Sequence, residues 1–204
     1  MVDTFLLYIS AASDLDLERD LLARAVTEIP VTLRWRIIQS TTRGESQELE
    51  AAGKADLHFL IMGSDIRAPI GLEWYIAQRD SRTPILFLKQ DATHTPAAGV
   101  FIRELGSVET WRPFKSSSDL RQQFLKLIGD HLLNQAAYYE LNSEEYERLV
   151  SWRKEIDKSG MESTDEVKAG AGESSIILSR ERYMPSEGVL IKPPREHIEG
   201  EESK

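Results

Sequence analysis

The chain contains no cysteine among its 204 residues. This absence excludes disulfides, thiol nucleophiles and cysteine metal sites, and it is typical of cytosolic proteins. No stretch reaches the roughly 18 apolar residues that a transmembrane helix needs. The first ten residues, MVDTFLLYIS, lack the basic region that precedes the apolar run of a secretory signal. We therefore expect a soluble cytoplasmic protein without a membrane partner.

The chain also lacks an excess of basic residues. It has 25 lysines and arginines against 34 aspartates and glutamates, a net charge of −9 and an isoelectric point near 5.1. A general nucleic-acid binder carries a basic face, so we do not expect a nucleic-acid partner. The 41% of hydrophobic residues permits a sizeable core over part of the chain. The length suggests one domain of ~130–160 residues with an appendage.

Several sequence motifs for cofactors and catalysis are missing. There is no GxGxxG after the first apolar run, no GxxxxGK[ST] and no GxSxG. These absences argue against a dinucleotide fingerprint, a P-loop and a hydrolase nucleophile elbow. The four histidines are not spaced as metal ligands, and His58 falls inside an apolar run. We therefore predict neither a metal site nor a resident cofactor.

What the sequence does contain is a regular alternation of strand and helix patterns. Apolar or alternating runs predict five strands, and amphipathic or capped segments between and after them predict helices. The predicted strands are Thr4–Ser10, Val31–Gln39, Leu57–Met62, Ile85–Leu88 and Ser107–Phe114. Such alternation is typical of an α/β fold with a parallel sheet between two layers of helices. We predict a flavodoxin-like three-layer sandwich with strand order 2-1-3-4-5, in which the second and fifth strands form the edges.

The character of the chain changes after residue 135. We assign 1–135 to the α/β domain and 136–160 to a helical extension, in which Glu144–Lys158 is a charged amphipathic helix. The segment 161–204 is interpreted as a linker and a possible β-hairpin tail, and we expect the region after 135 to pack less firmly than the sheet domain. A module preceding further sequence and a small protein with a loose tail both fit this pattern.

The leading candidate for chemistry is Glu73. It lies one turn into a helix that Pro69 is suited to open, near the carboxyl edge of the predicted sheet. A carboxylate at a helix N-terminus is favoured in its ionised form, and it can act as a nucleophile or stabilise a sugar oxocarbenium ion. The alternative is an ordinary residue that complements the helix dipole, as we expect for Glu18 on the first helix.

Further candidates surround the same edge. They are the nucleotide-binding candidates Ser10, Ser13, Gly63, Ser64, Asp65 and Arg67. Hydroxyl groups and a helix N-terminus can hold a phosphate or ribose, an aspartate can bind a ribose hydroxyl, and an arginine can pair with phosphate in a bidentate manner. The structural alternatives are a helix cap for Ser13, a turn residue for Asp65 and a surface charge for Arg67.

Two stretches resemble known families. FLLYIS-AASDLDLERDLL resembles the opening of TIR-like effector domains that stand ahead of bacterial signal-transducing NTPases. The segment ADLHFLIMGSDIRAPIGLEWYIA, followed by PILFLK, resembles their second landmark and is also similar to that of nucleoside 2-deoxyribosyltransferases. The resemblance spans residues 4–133 and implies that Glu73 is a catalytic glutamate followed four residues later by Ala77. It also implies that NAD or a nucleoside is a substrate.

These observations leave three functional hypotheses. The first is a TIR-like effector or signalling domain in bacterial defence that binds a nucleoside or nucleotide and is capable of cleaving an N-glycosidic bond. The second is a non-catalytic module that associates with itself or with fused or partner effector domains. The third is a stand-alone deoxyribosyltransferase acting on free nucleosides.

Overall fold

The computed structural model describes residues 4–40, 46–66 and 70–165, and a parallel sheet of five strands forms the centre of this part of the chain. The strands are β1 (Thr4–Ala11), β2 (Arg34–Gln39), β3 (Leu57–Met62), β4 (Ile85–Lys89) and β5 (Arg112–Phe114). Their order is β2-β1-β3-β4-β5, and every pairing is parallel. The predicted flavodoxin-like architecture is therefore confirmed.

Helices surround this sheet. In the described part of the chain they are α1 (Asp16–Ala25), α2 (Ser46–Lys54), α3 (Ile70–Arg79), α4 (Pro96–Gly106), α5 (Ser117–Asn134) and α6 (Ser143–Asp165). Alternate residues of β1 face different helices. Tyr8 packs with Ala51 and Ala52 of α2, whereas Phe5 contacts His131 of α5 by an edge-to-face ring contact. Both faces of β1 are thus buried, as its nearly continuous apolar sequence predicts.

The helical extension after Gln135 shares the core of the sheet domain. Tyr139 and Leu149 are buried, and α6 packs against α5. Gly129 of α5 permits this close approach, because a methyl group there would lie 3.1 Å from atoms of both Trp152 and Arg153. Side chains of α6 and of the segment before it therefore contribute to the core of the sheet domain. That the region after 135 packs less firmly than the sheet domain stays a prediction.

Several element boundaries also differ from the prediction. Strand β5 begins only at Arg112, because α4 extends to Gly106 and a turn follows it. Strand β2 begins at Arg34, after three non-strand residues that follow Pro30. Helix α6 continues to Asp165 and so includes the first residues of the predicted linker. The predicted hairpin and the rest of the tail lie outside the described residues.

Candidate functional site

Glu73 is a buried carboxylate on the first turn of α3. It is only 1% exposed, and its Oε1 accepts a 2.8 Å hydrogen bond from the hydroxyl of Tyr8. Since Tyr8 lies on β1, an interior strand that pairs with β2 and β3, this bond fixes the start of α3 over the sheet. The helix N-terminus adds a partial positive charge that favours the ionised glutamate. The structure thus places Glu73 where an oriented carboxylate is held away from bulk water.

Tyr8 connects Glu73 to a second buried polar pair. Tyr8 and His58 are opposite each other in β1 and β3, and their rings meet edge to face at 4.9 Å between centroids. The Oγ of Ser10, two residues further along β1, lies 2.7 Å from Nε2 of His58. Because alternate strand residues share a face, Tyr8 and Ser10 both face the helix layer that contains Glu73.

His58 is neutral in this setting. Its exposed fraction is 3%, and burial lowers its pKa to about 3. A neutral imidazole has one N–H and one acceptor nitrogen. Nε2 faces Ser10, while Nδ1 is buried with no hydrogen-bond partner among the residues that the structure describes. The pair therefore orients the Ser10 hydroxyl without adding a charge next to Glu73.

The loop after β3 is tied to the loop after β1 by Asp14. The Oδ2 of Asp14 accepts hydrogen bonds from the backbone N–H of Ser64 at 2.8 Å and from its hydroxyl at 2.7 Å. Burial by itself would raise the pKa of Asp14, but the bonds from Ser64 outweigh it and lower that pKa. Asp14 does not cap α1, since Leu15 occupies the N-cap position. Ser64 is present at the predicted edge, but both of its donors are occupied.

Asp65 connects the loop after β3 to the loop after β4 by hydrogen bonds. Its Oδ1 accepts hydrogen bonds from the Thr95 hydroxyl at 2.7 Å and from the backbone N–H of Ile66 at 2.9 Å. Thr95 also caps α4 by accepting from the N–H of Ala98, and its own N–H donates to the carbonyl of Ser64. Asp65 therefore has the turn role that was the alternative to ribose binding, at an edge where three loops meet.

The remaining candidates divide in two. Ser10 and Gly63 lie at the carboxyl edge as predicted, at the ends of β1 and β3. Ser13 begins a short 3₁₀ turn, Ser13–Leu15, but its side chain lies outside the described part of the structure. Arg67 also lies outside the described residues.

Glu18 differs from the ordinary helix-dipole residue that we expected. It is 7% exposed and forms a 3.0 Å ion pair with Lys89 at the end of β4. The two residues are 71 positions apart in the chain. The spacing on α1 alone carries no signal for this pair.

Sequence reasoning missed Tyr8 and His58 as members of the site. Each lies within an apolar run that predicts a buried strand, and each looks like a core residue there. A polar atom inside such a run is a weak signal by itself. It becomes informative only when the strand register places the two side chains opposite each other.

No protein-family model, curated protein or solved structure matches this chain. Within residues 4–40, 46–66 and 70–165, no helix is long and apolar enough to cross a bilayer. The same residues contain no group of three or more histidine, aspartate or glutamate side chains arranged to hold a metal ion. The geometry of the carboxyl edge is therefore the basis for a functional proposal.

Proposed function

We propose that this chain binds a nucleoside or nucleotide at the carboxyl edge of its sheet and that Glu73 promotes cleavage of the N-glycosidic bond. One observation carries the proposal: a carboxylate with 1% exposure stands on the first turn of α3, oriented by a hydrogen bond from Tyr8. In parallel α/β sheets, ligands bind outside the carboxyl ends of the strands.

A buried carboxylate is an uncommon choice for a residue that only fills space in the core. Burying an ionised group costs several kcal/mol unless hydrogen bonds and charges offset it. A glutamine or an aliphatic residue would fill a similar volume at lower cost. Buried ionisable groups near a ligand edge are a typical feature of catalytic sites.

The chemistry suits such a group. When the bond between the anomeric carbon and the base breaks, the base leaves with the bonding electron pair and the sugar becomes an oxocarbenium ion. A fixed carboxylate stabilises that positive charge, or bonds to the anomeric carbon as a nucleophile. Water completes hydrolysis by adding hydroxide to the anomeric carbon and a proton to the base. Tyr8 acts as a positioning residue, because its hydroxyl holds Glu73 Oε1.

The test is Glu73→Gln in the full chain, with release of free base from NAD and from nucleosides measured by chromatography. The substitution keeps the size and hydrogen-bonding capacity of the side chain but removes its charge. We expect the rate of base release to fall by about 10²-fold or more, as for loss of one electrostatic stabiliser. A thermal melt in parallel reports folding.

The matched control is Glu147→Gln, since Glu147 is an exposed residue on α6. Glu18 is unsuitable as a control because it is buried and paired with Lys89. Base release by Glu73→Gln at the wild-type rate would overturn the catalytic role. A lower melting temperature with unchanged release would leave Glu73 as a helix-dipole residue.

A second candidate function, self-association, is favoured by a separate observation. Leu72 and Tyr75 of α3 are 48% and 60% exposed, although both are large apolar side chains. Beside α3 lies a groove of about 510 Å³ lined by apolar side chains that include Val100 and Phe101 of α4. Exposed apolar surface of this kind commonly marks an interface.

Light scattering of the wild type and of Tyr75→Ser across a range of concentrations separates this candidate. A concentration-dependent oligomer that is lost in Tyr75→Ser supports a module that assembles through α3. A monomer at every concentration removes this candidate.

A further inference from the structure

We propose that Asp14 is a specificity-determining residue that disfavours phosphate at this edge, so that the preferred ligand is an unphosphorylated nucleoside and not a nucleotide or NAD. The inference rests on the function proposed above, because it names the substrate class of the same site.

The first observation is that the chain's own carboxylate occupies the donors of the loop after β3. The backbone N–H and the hydroxyl of Ser64 both donate to Asp14 Oδ2, at 2.8 and 2.7 Å. Backbone N–H groups and hydroxyls that follow a strand are the groups that hold phosphate oxygens in many α/β proteins. A phosphate would have to displace Asp14 to use them.

The second observation concerns Gly63. A Cβ at this position would lie 2.4 Å from Asp14 Oδ2, so the carboxylate packs directly against the glycine backbone. In dinucleotide sites a glycine lets the backbone approach the pyrophosphate closely. Here a carboxylate of the chain packs against the glycine of the loop after β3, where it acts as a built-in anion.

The third observation is the charge of the edge. The hydrogen bonds from Ser64 lower the pKa of Asp14, so its carboxylate is ionised at neutral pH. Lys89, the cation at the end of β4, pairs with Glu18 at 3.0 Å and also helps to lower the pKa of Asp14, so its charge is already shared between two carboxylates. A phosphate dianion near Asp14 therefore meets a like charge, whereas an uncharged nucleoside does not. Like charges ~5 Å apart near a protein surface are sufficient for about a tenfold loss of affinity.

The experiment compares matched ligand pairs on the full chain. Adenosine with adenosine 5′-monophosphate, and nicotinamide riboside with nicotinamide mononucleotide, differ within each pair only by the 5′-phosphate, and they are offered to the wild type, Asp14→Asn and Glu147→Gln. Base release gives kcat/KM, and calorimetry gives Kd for each ligand independently of turnover. We expect the wild type to prefer each unphosphorylated member by about tenfold or more.

Asp14→Asn removes the charge but keeps an acceptor for Ser64. It should therefore raise the affinity and kcat/KM for the phosphorylated ligand and so reduce the preference for the unphosphorylated one. A merely structural role of Asp14 would weaken both members of a pair equally. Glu147→Gln, which removes a charge from α6, should leave the ratio unchanged. The wild-type preference should also shrink as salt rises from 50 to about 500 mM, because screening weakens repulsion at the surface.

The outcomes separate the two proposals. If the wild type prefers the phosphorylated ligand, the proposed role of Asp14 is wrong but a nucleotide site remains. Pairing of Arg67 with phosphate, as expected from the sequence, would give this result. An unchanged ratio in Asp14→Asn overturns the role of Asp14 as well. Absence of both binding and base release for every ligand overturns the proposed function and this inference with it.

Discussion

Burial gives the histidine at position 58 an unusual acid–base property, which makes the stability of the protein depend on pH. Burial lowers the pKa of His58 from 6.5 to about 3. The unfolded chain takes up a proton as the pH falls below 6.5, whereas the folded chain does so only near pH 3. The contribution of His58 to the free energy of unfolding is therefore complete above pH 6.5 and is lost progressively between pH 6.5 and 3.

Urea denaturation of the wild type and of His58→Gln at intervals from pH 7.5 to 5 measures this effect. As the pH decreases, we expect the free energy of unfolding to fall more steeply for the wild type than for His58→Gln. The difference in slope should reach up to about 1.4 kcal/mol per pH unit. His131, whose pKa burial also lowers, is present in both proteins, so its contribution cancels in the comparison. Equal slopes for the two proteins would show that His58 is protonated in the folded state.

At this scale the sequence predicts where Glu73 lies but not what surrounds it. The predicted helix start and the preceding strand are sufficient to place Glu73 near the carboxyl edge, and the structure places it on the first turn of α3. Its partner Tyr8 is 65 residues away and depends on the sheet order. Aspartate is a residue type that commonly caps helices, but the carboxylate of Asp14 instead accepts a hydrogen bond from the backbone N–H of Ser64. Long-range partners of polar groups are not encoded in local spacing.

At the scale of elements, two helical glycines have opposite surroundings. Gly99 of α4 has open space at the position of a Cβ, whereas Gly129 of α5 faces Trp152 and Arg153 at 3.1 Å. Alanine is about 1 kcal/mol more favourable than glycine inside a helix. Gly99→Ala should therefore stabilise the protein by about that amount, since nothing opposes the gain.

Gly129→Ala should gain less or should destabilise, because the added methyl pushes on the contact between α5 and α6. Overpacking of this kind costs ~1–3 kcal/mol. Thermal or urea denaturation of the two variants beside the wild type is sufficient as a test, since each replaces one glycine by alanine within a helix. An equal rise in stability would mean that α6 yields without cost and that the two helices are loosely packed.

The elements that the sequence predicts best are those with continuous patterns. Strands β1 and β3 agree closely with their apolar runs. Helix α5 follows a clear start signal, because the hydroxyl of Ser116 accepts a hydrogen bond from the N–H of Asp119. Strand β5 is shorter than predicted, because α4 and its turn use the residues before Arg112. At a sheet edge, only three residues pair with β4. Local β propensity does not reveal where pairing begins.

For the whole molecule, the strand order follows from alternation and short connections, so it could be predicted. The packing of α6 against α5 could not be predicted, because it depends on two facing helix surfaces. The stripe on α6 that predicts an amphipathic helix contains Leu149, Trp152 and Ile156, but it does not say which surface covers it. The structure packs these residues against the main core. The folded core therefore extends beyond the α/β alternation.

This packing predicts that a chain ending at Gln135 is much less stable than one ending at Asp165. The shorter chain lacks Tyr139 and Leu149, which are 4% and 0% exposed and contact the main core. Full burial of one such apolar side chain contributes about 2 kcal/mol. Loss of several is large against a typical total of about 5–15 kcal/mol.

Urea midpoints of the two purified chains test this expectation, and Leu149→Ala in the longer chain provides a graded comparison. That substitution should cost about 2–5 kcal/mol if Leu149 is packed as described, because it leaves a cavity between α6 and the core. The shorter chain should then unfold at a lower urea concentration than Leu149→Ala, since it loses Tyr139 and the rest of α6 as well. Equal midpoints for 1–135 and 1–165 would mean that α6 is dispensable and that the α/β alternation alone makes an independent domain.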